Sequence, residues 1–344
     1  MCPIGDVIAG LARRQGPVRF DRVVELALYD ADDGFYERGG GAGRGGADFI
    51  TSPEVGPLFG AVLAGALDGW WRESGEPDPF VVVEAGAGTG TLAAAVLAAA
   101  PACSPALRYV PVERSTALRR RARPAPEVRG EAPPGPFDGV VMANELLDNL
   151  AFRLLQRTPA GWDEVFVGAD LEEVLLPAGE EASAEAGRLA PEAPVGARVP
   201  LQHQARDWLV DALARVRRGR VVVVDYMDAT PSMAARPWSG WLRTYRGHGR
   251  AGGPLEGLGT ADITCEVAID QLTAVRPPDE DRTQAEFLRA HGIDRLVEQA
   301  RAAWLERAAI GDLQALKARS RVTEAAALTD PSGLGSFRVL EWRR

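Results

Sequence analysis

A short glycine-rich turn constrains the fold of this chain more than any other feature. The stretch FVVVEAGAGTGTL, residues 80–92, is a β-branched apolar run that ends in Glu84 and leads through alternate glycines into an alanine-rich helical segment. Similar apolar runs recur as LRYVPVE (107–113), FDGVVMAN (137–144) and GRVVVVDYMD (219–228). Buried strands that alternate with helices predict an α/β fold with a doubly wound, mostly parallel sheet.

The spacing of the glycines indicates which cofactor the turn binds. A dinucleotide fingerprint requires a third glycine three residues after the second, and here that position is Thr91. Glu84 would repel a pyrophosphate but suits a cationic ligand, and S-adenosylmethionine carries both an ammonium and a sulfonium. Glu113 ends the next strand, where a carboxylate can bind ribose hydroxyls. The pattern predicts S-adenosylmethionine and disfavours a nicotinamide cofactor; a turn without a ligand is the alternative.

A second polar cluster follows the strand FDGVVMAN, in the segment NELLDNL. It contains Asn144, Glu145 and Asp148, at the edge of the sheet where doubly wound folds bind ligands. If the turn continues as a helix, Glu145 and Asp148 share a face and can hold a guanidinium bidentately. The alternative is that these acidic residues have no ligand and only stabilise the first turn of a helix.

Several longer stretches resemble the MidA family, bacterial relatives of the mitochondrial complex I assembly methyltransferase. DFITSPE (48–54) and NELLDNL are the most distinctive of them, and the resemblance extends over nearly the whole chain. It implies a Rossmann-like class I methyltransferase that uses S-adenosylmethionine, and the mitochondrial relative is held to dimethylate an arginine of a complex I subunit. The implied cofactor residues are Glu84, Gly86, Gly88, Gly90 and Glu113, joined by Thr51, Ser52, Pro53 and Glu54. Asn144, Glu145 and Asp148 are implied on the acceptor side.

The pattern of apolar runs and turn residues along the chain, together with this resemblance, predicts how the chain is organised. Residues 1–79 form a helical N-terminal extension with a glycine-rich loop, and residues 80–344 form the methyltransferase core. An inserted hairpin region is expected at about 150–200. A loop at about 236–265 that includes Tyr245, Arg246 and His248 is expected to act as a lid, with a direct catalytic role as the alternative. The chain departs from the family pattern on the acceptor side, at Leu146 or Leu147, Ala151 and Glu266.

Composition excludes some function classes. A net charge of −9 argues against nucleic acid as the main partner, and no apolar run is long enough to span a membrane. The N-terminus lacks a secretory pattern, so we expect a cytoplasmic protein without membrane insertion. The three cysteines and three histidines are dispersed, which predicts no metal site. Three functions remain open: a protein arginine methyltransferase for complex I assembly, a methyltransferase of a small molecule or another protein, and a non-catalytic assembly factor that binds the cofactor.

Overall fold

The computed structural model describes residues 3–41, 51–122, 126–247 and 249–344. Its α-helices are α1 (Pro3–Gln15), α2 (Phe20–Tyr29), α3 (Ser52–Val55), α4 (Pro57–Glu73), α5 (Thr91–Ala98), α6 (Thr116–Arg121), α7 (Glu180–Leu189), α8 (His203–Arg215), α9 (Thr230–Ala234), α10 (Ile269–Val275), α11 (Gln284–Ala290), α12 (Ile293–Arg307) and α13 (Leu313–Leu328). Its strands are β1 (Val18–Arg19), β2 (Phe80–Ala85), β3 (Leu107–Val112), β4 (Phe137–Asn144), β5 (Arg153–Thr158), β6 (Gly161–Val167), β7 (Glu173–Pro177), β8 (Arg198–Leu201), β9 (Val216–Asp225), β10 (Met227–Asp228), β11 (Leu242–Arg246), β12 (Gly249–Arg250), β13 (Asp262–Cys265), β14 (Val267–Ala268), β15 (Glu280–Thr283) and β16 (Arg338–Arg343).

The largest sheet has six strands in the order β15-β16-β9-β4-β2-β3. Strands β9, β4, β2 and β3 are parallel, whereas β16 is antiparallel to both of its neighbours. From β2 the chain passes first to β3 on one side and then to β4 on the other. The strand order therefore reverses around β2, and ligands bind at such a switch point, beyond the carboxyl ends of the strands. The predicted doubly wound, mostly parallel sheet is confirmed.

Both faces of this sheet are covered by helices, which explains why its strands are apolar without alternation. Val82 and Val140 belong to a core shared with α4, α5, α11 and α12. Val83 and Val141 point to the opposite face and pack with α8 and α10. Successive side chains of a strand point to opposite faces, so a strand that is buried on both sides must be hydrophobic at every position.

The inserted region around 150–200 forms a second sheet that packs against the N-terminus. Strands β5 and β6 form the expected hairpin, and β8 and β7 flank it. β1 of the N-terminal segment pairs with β6, and α1 and α2 share a core with both hairpin strands. α4, in contrast, packs on the main sheet. The boundary predicted between residues 79 and 80 stays a prediction.

The segment at 236–265 is more regular than expected. In place of a loop, β11 pairs with both β12 and β13 in a small antiparallel sheet. Leu242, Ile263 and Cys265 bury their side chains in the core shared with α1 and α2. Alternating buried residues therefore stabilise strands where the glycines and arginines suggested a loop. His248 lies outside the described residues, and the role of this segment as a lid stays a prediction.

Candidate active site

An open cavity of about 1280 Å³, including its solvent-filled mouth, lies at the carboxyl ends of β2, β3 and β4. Its wall contains most of the residues predicted to bind the cofactor or the acceptor: Thr51, Pro53, Glu54, Glu84, Gly86, Gly88, Glu113, Asn144 and Glu145. Three predicted residues are not part of the wall. Ser52 and Asp148 are buried, and Gly90 is the N-cap of α5.

The glycine-rich turn needs glycine for its backbone conformation. Gly86, Gly88 and Gly90 have φ values of 71°, 53° and 78°, in the left-handed region that side chains disfavour. A Cβ on Gly86 would also lie 2.9 Å from Cδ1 of Leu146, in the turn after β4. The space around Gly88 is open, and its backbone N–H donates to Oε2 of Glu113 at 3.0 Å. The turn therefore brings its backbone close to the cavity without obstructing it.

Glu84 ends β2 and is almost fully buried. The hydroxyl of Tyr109 donates to its Oε2 at 2.9 Å. Burial raises the pKa of Glu84 to about 8, and the bond from Tyr109 opposes that shift without cancelling it. Within the described ranges Glu84 forms no salt bridge, so this buried carboxyl group is suited to a positively charged ligand.

Glu113 immediately follows β3 and completes the predicted pair of strand-end carboxylates. Its Oε1 accepts a hydrogen bond from the backbone N–H of Ser115 at 2.7 Å, and Oε2 accepts the bond from Gly88. Burial raises the pKa of Glu113, although these backbone bonds favour its charged form. Glu84, Glu113 and the open glycine turn therefore fit S-adenosylmethionine, whose cationic centres and ribose hydroxyls match a donor set of carboxylate oxygens.

The acceptor side of the cavity centres on Glu145. Its backbone is in the left-handed region at φ 50°, which turns the chain sharply after β4. Oε1 of Glu145 accepts hydrogen bonds from the backbone N–H of Ser52 at 3.0 Å and from Nδ2 of Asn144 at 3.1 Å. Burial raises the pKa of Glu145 to about 8, while the bond from Ser52 lowers it. Oδ1 of Asn144 is buried and lacks a hydrogen-bond partner among the described residues.

Asp148 does not share a helical face with Glu145, so the predicted two-carboxylate clamp is not formed. The left-handed residue Glu145 interrupts the helical register, and only a 3₁₀ turn from Leu147 to Asn149 follows. Oδ2 of Asp148 accepts hydrogen bonds from the hydroxyls of Tyr226 and Thr264, the latter at 2.8 Å. Burial raises the pKa of Asp148.

A further carboxylate, Asp225, orders the turn that carries Asp148. It ends β9, and its Oδ2 accepts from the backbone N–H groups of Leu147 and Asp148 at 3.1 and 3.4 Å. Burial raises the pKa of Asp225 well above its usual value, and the Asp148 carboxylate adds to the effect. Asp148 and Asp225 therefore support the acceptor side from behind the wall.

The segment TSPE reaches the cavity as predicted. Thr51 is the N-cap of α3, and α3 ends before Gly56, so that α4 begins separately at Pro57. The hydroxyl of Ser52 donates a hydrogen bond to Oε1 of Gln284 at 2.9 Å. This bond links the segment to α11.

Of the positions at which the chain departs from the family pattern, only Leu146 lines the cavity. Leu147 and Ala151 are buried in neighbouring cores. Glu266 forms ion pairs with Arg236 and Arg243. A change in acceptor preference would therefore act through Leu146.

An aromatic wall was not predicted from the sequence. The rings of Tyr29 and Tyr36 stack with centroids 5.4 Å apart, and both residues line the cavity. The Tyr36 hydroxyl lies 3.0 Å from Oδ1 of Asn149 and 3.1 Å from Oδ1 of Asp262. Arg114 lies over the Tyr29 ring at 4.3 Å. No local motif marks these tyrosines; the only signal was their place within the stretches that resemble the family.

A glycine-rich first turn at the switch point of a parallel sheet, between carboxylates that end β2 and β3, defines a Rossmann-like methyltransferase that uses S-adenosylmethionine. Residues 62–280 match the model of the S-adenosyl-L-methionine-dependent methyltransferase family, and the chain belongs to this family. The predicted fold, enzyme class and cofactor are thereby confirmed, and the nicotinamide alternative is not supported.

Individual relatives agree with this assignment and with the resemblance to the MidA family. Over 334 residues the chain is 28% identical to the mitochondrial protein arginine methyltransferase NDUFAF7 of Mus musculus, covering 81% of this chain and 72% of the relative. Over 82 residues it is 42% identical to the Drosophila melanogaster homologue, covering 24% and 18% of the two chains. A crystal structure from Burkholderia thailandensis, bound to S-adenosyl-homocysteine, superposes with a TM-score of 0.81 at 27% identity and covers 99% of this chain and 91% of that chain.

Proposed function

We propose that this methyltransferase acts on protein arginine in the assembly of a respiratory complex. The observation that carries the proposal is the Glu145 carboxylate, which is set into the cavity wall beside Asn144. In the described part of the chain its hydrogen-bond donors are the neutral groups of Ser52 and Asn144. The name of the mouse relative, protein arginine methyltransferase, supports the same acceptor class.

A guanidinium group suits this wall because it presents N–H donors in a planar fork and remains charged at neutral pH. Glu145 would accept one edge of the fork. Oδ1 of Asn144, which has no donor in the part of the chain that the structure describes, would accept another N–H. Arrival of the cation also favours the charged form of Glu145, whose pKa of about 8 otherwise leaves it mostly protonated at pH 7.

The chain contributes alignment and proton management to the reaction. Bound S-adenosylmethionine supplies a methyl group on a sulfonium. Glu145 would hold the guanidinium so that one nitrogen faces that methyl group, and would receive the proton that the methylated nitrogen loses. Glu54, which also lines the cavity, is the second candidate for this proton. Asp148 and Asp225 would help to position Glu145, because Asp225 holds the backbone of the turn that directly follows it.

The decisive test uses the wild-type protein, the Glu145→Gln variant and a lysate from cells that lack the gene. Mass spectrometry after incubation with S-adenosylmethionine should find dimethylarginine on a protein, and the bacterial counterpart of the complex I subunit is the first candidate. Glu145→Gln should lower the turnover number on the order of 100-fold, as expected for loss of a group that accepts the proton. Its affinity for S-adenosylmethionine should remain nearly unchanged.

Other outcomes would support other functions. Loss of cofactor affinity in Glu145→Gln would place Glu145 in the cofactor site. Methyl transfer to a small molecule would support the second candidate, which the departure from the family pattern at Leu146 or Leu147 favours. Tight cofactor binding without any transfer would indicate a non-catalytic assembly factor. The cytoplasmic location stays a prediction.

A further inference from the structure

The helical hairpin of α12 and α13 packs on the rest of the molecule at one end only. The buried residues of α12 are Ile293, Val297 and Ala300, and none follows them in that helix. In α13 the buried positions begin at Ala315. The two helices pack on each other and are joined by a five-residue connection at 308–312, so the end of α12 and the start of α13 project together. We call residues 301–321 the hairpin tip.

The hairpin tip exposes large aliphatic side chains. Leu305, Ile310, Leu313 and Leu316 are 76%, 67%, 74% and 53% exposed. They are four of the ten exposed large hydrophobic residues in the described part of the chain, within twelve consecutive positions. Single exposed leucines are ordinary, whereas a cluster of this kind marks a surface that contacts something apolar.

The charge of the hairpin tip is opposite to that of the whole chain. Its five basic residues are Arg301, Arg307, Lys317, Arg319 and Arg321, and its two acidic residues are Glu306 and Asp312. Arg307 and Asp312 form an ion pair and so neutralise each other. Among the described residues, no carboxylate forms a salt bridge with the other four cations. A chain of net charge −9 therefore carries a local excess of positive charge beside its exposed leucines.

We propose that the hairpin tip binds the surface of a membrane that contains anionic phospholipids. Aliphatic side chains surrounded by Lys and Arg are the pattern of interfacial membrane contacts, in which the apolar groups enter the lipid and the cations meet the headgroups. This contact does not require a transmembrane segment, and no described helix is long and apolar enough to cross a bilayer. The proposal is independent of the acceptor proposed above.

A protein partner and a second copy of the chain fit the hairpin tip less well. Binding hot spots between proteins favour Trp, Tyr and Arg over Leu, and the Trp304 of this tip is partly buried with Arg319 lying over its ring at 5.6 Å. A symmetric dimer through this surface would bring two basic tips together, which is unfavourable. Hydrocarbon chains need no shape complementarity, so a convex tip of leucines suits them.

The test is cosedimentation of the full chain with phosphatidylcholine vesicles, with and without about one third phosphatidylglycerol. Wild-type protein should bind the anionic vesicles at least about tenfold more tightly, and high salt should weaken the binding. Leu305→Ser/Leu313→Ser should abolish it, and Arg301→Glu/Lys317→Glu should remove the preference for anionic lipid. The matched control is Val195→Ser/Val210→Ser, which changes aliphatic residues of 66% and 51% exposure elsewhere.

Affinity for S-adenosylmethionine, measured on each variant, shows whether it has folded. Equal binding to neutral and anionic vesicles, no binding to either, or unchanged binding by the leucine variant would overturn the proposal. Sedimentation velocity provides a further check. A dimer that dissociates in the leucine variant, without lipid binding by either protein, would identify the hairpin tip as an interface between copies and would also overturn it.

Discussion

The protonation of single buried carboxylates should control cofactor binding. Burial raises the pKa of Glu84 to about 8, so the free protein holds a proton there at pH 7. A cationic cofactor favours the carboxylate, and binding should therefore release that proton. We predict that S-adenosylmethionine affinity of the wild type, relative to Glu84→Gln, weakens up to about tenfold for each pH unit below 8. Titration calorimetry in buffers of different ionisation enthalpy measures the released protons.

The Glu84→Gln variant serves as the reference because glutamine keeps the shape of the side chain and cannot titrate. Tyr109 can still donate to its amide oxygen, so the local packing should persist. Ionisation of the cofactor itself affects both proteins equally and is removed by the comparison. Equal proton release by the two proteins would show that Glu84 does not face the cation.

Residue-level prediction worked where the backbone is regular. Glu84 and Glu113 could be located because each stands at the end of a recognisable strand. The glycines between them could be interpreted because a tight turn after a strand requires positive φ values. Asp148 could not be located, because its direction depends on the positive φ of Glu145, which no sequence pattern indicates. The place of Tyr29 and Tyr36 in the cavity wall could not be predicted either, since their contacts with Asn149 join residues more than a hundred positions apart in the sequence.

At the scale of elements, the short helix α3 controls the position of Glu145. Its first residue, Ser52, donates its backbone N–H to Glu145 and its hydroxyl to Gln284 at the start of α11. Nε2 of Gln284 in turn donates to the carbonyl of Leu328 at 3.0 Å. These groups are buried, so loss of the Gln284 amide leaves Ser52 without its partner.

We predict that Gln284→Leu lowers the turnover number about tenfold, the effect of misplacing a group near the reacting atoms, with little change in cofactor affinity. Because the Ser52 N–H lowers the pKa of Glu145, loosening this bond should also move the pH at half-maximal turnover upwards. Steady-state kinetics between pH 6 and 9 would measure both effects.

Thr283→Ala is the control for a general effect on α11. Thr283 caps this helix, and its loss should reduce stability by about 1 kcal/mol. Its hydroxyl donates to a carboxylate oxygen of Glu286 and accepts from the backbone N–H of the same residue, whereas the hydroxyl of Ser52 bonds Gln284. Turnover and its pH profile should therefore stay unchanged. If both variants lose activity in proportion to stability, Gln284 has only a structural role.

Element-level prediction also had a limit set by tertiary contacts. The inserted hairpin of β5 and β6 was predicted, because hydrophobic alternation and turn residues agree there. The segment at 236–265 was predicted as a loop because glycine and arginine dominate it. Its strands exist because α1 and α2 provide a hydrophobic surface for every second residue, and that surface is distant in sequence.

At the scale of the whole molecule, the cavity wall and the residues directly behind it concentrate carboxyl groups that folding holds in their protonated form. Glu84, Glu145 and Asp262 each have a pKa raised to about 8, with burial as the main cause. The unfolded chain releases these protons near pH 4. Between that pH and 8 the folded protein binds more protons than the unfolded chain, so its stability falls as the pH rises. This is the energetic consequence of a site arranged for cations.

We predict that the free energy of unfolding of the cofactor-free protein falls between pH 6.5 and pH 8, by up to about 1.4 kcal/mol per pH unit for each of these groups. The window begins at 6.5 because His291 has a lowered pKa and acts in the opposite sense below that pH. Denaturant unfolding at several pH values measures the slope. Saturating S-adenosylmethionine should make it shallower, because the cofactor already favours the charged form of Glu84. Stability that stays constant or rises across this window would mean that the three carboxylates are ionised in the folded protein, and that the cavity is far more hydrated than its burial implies.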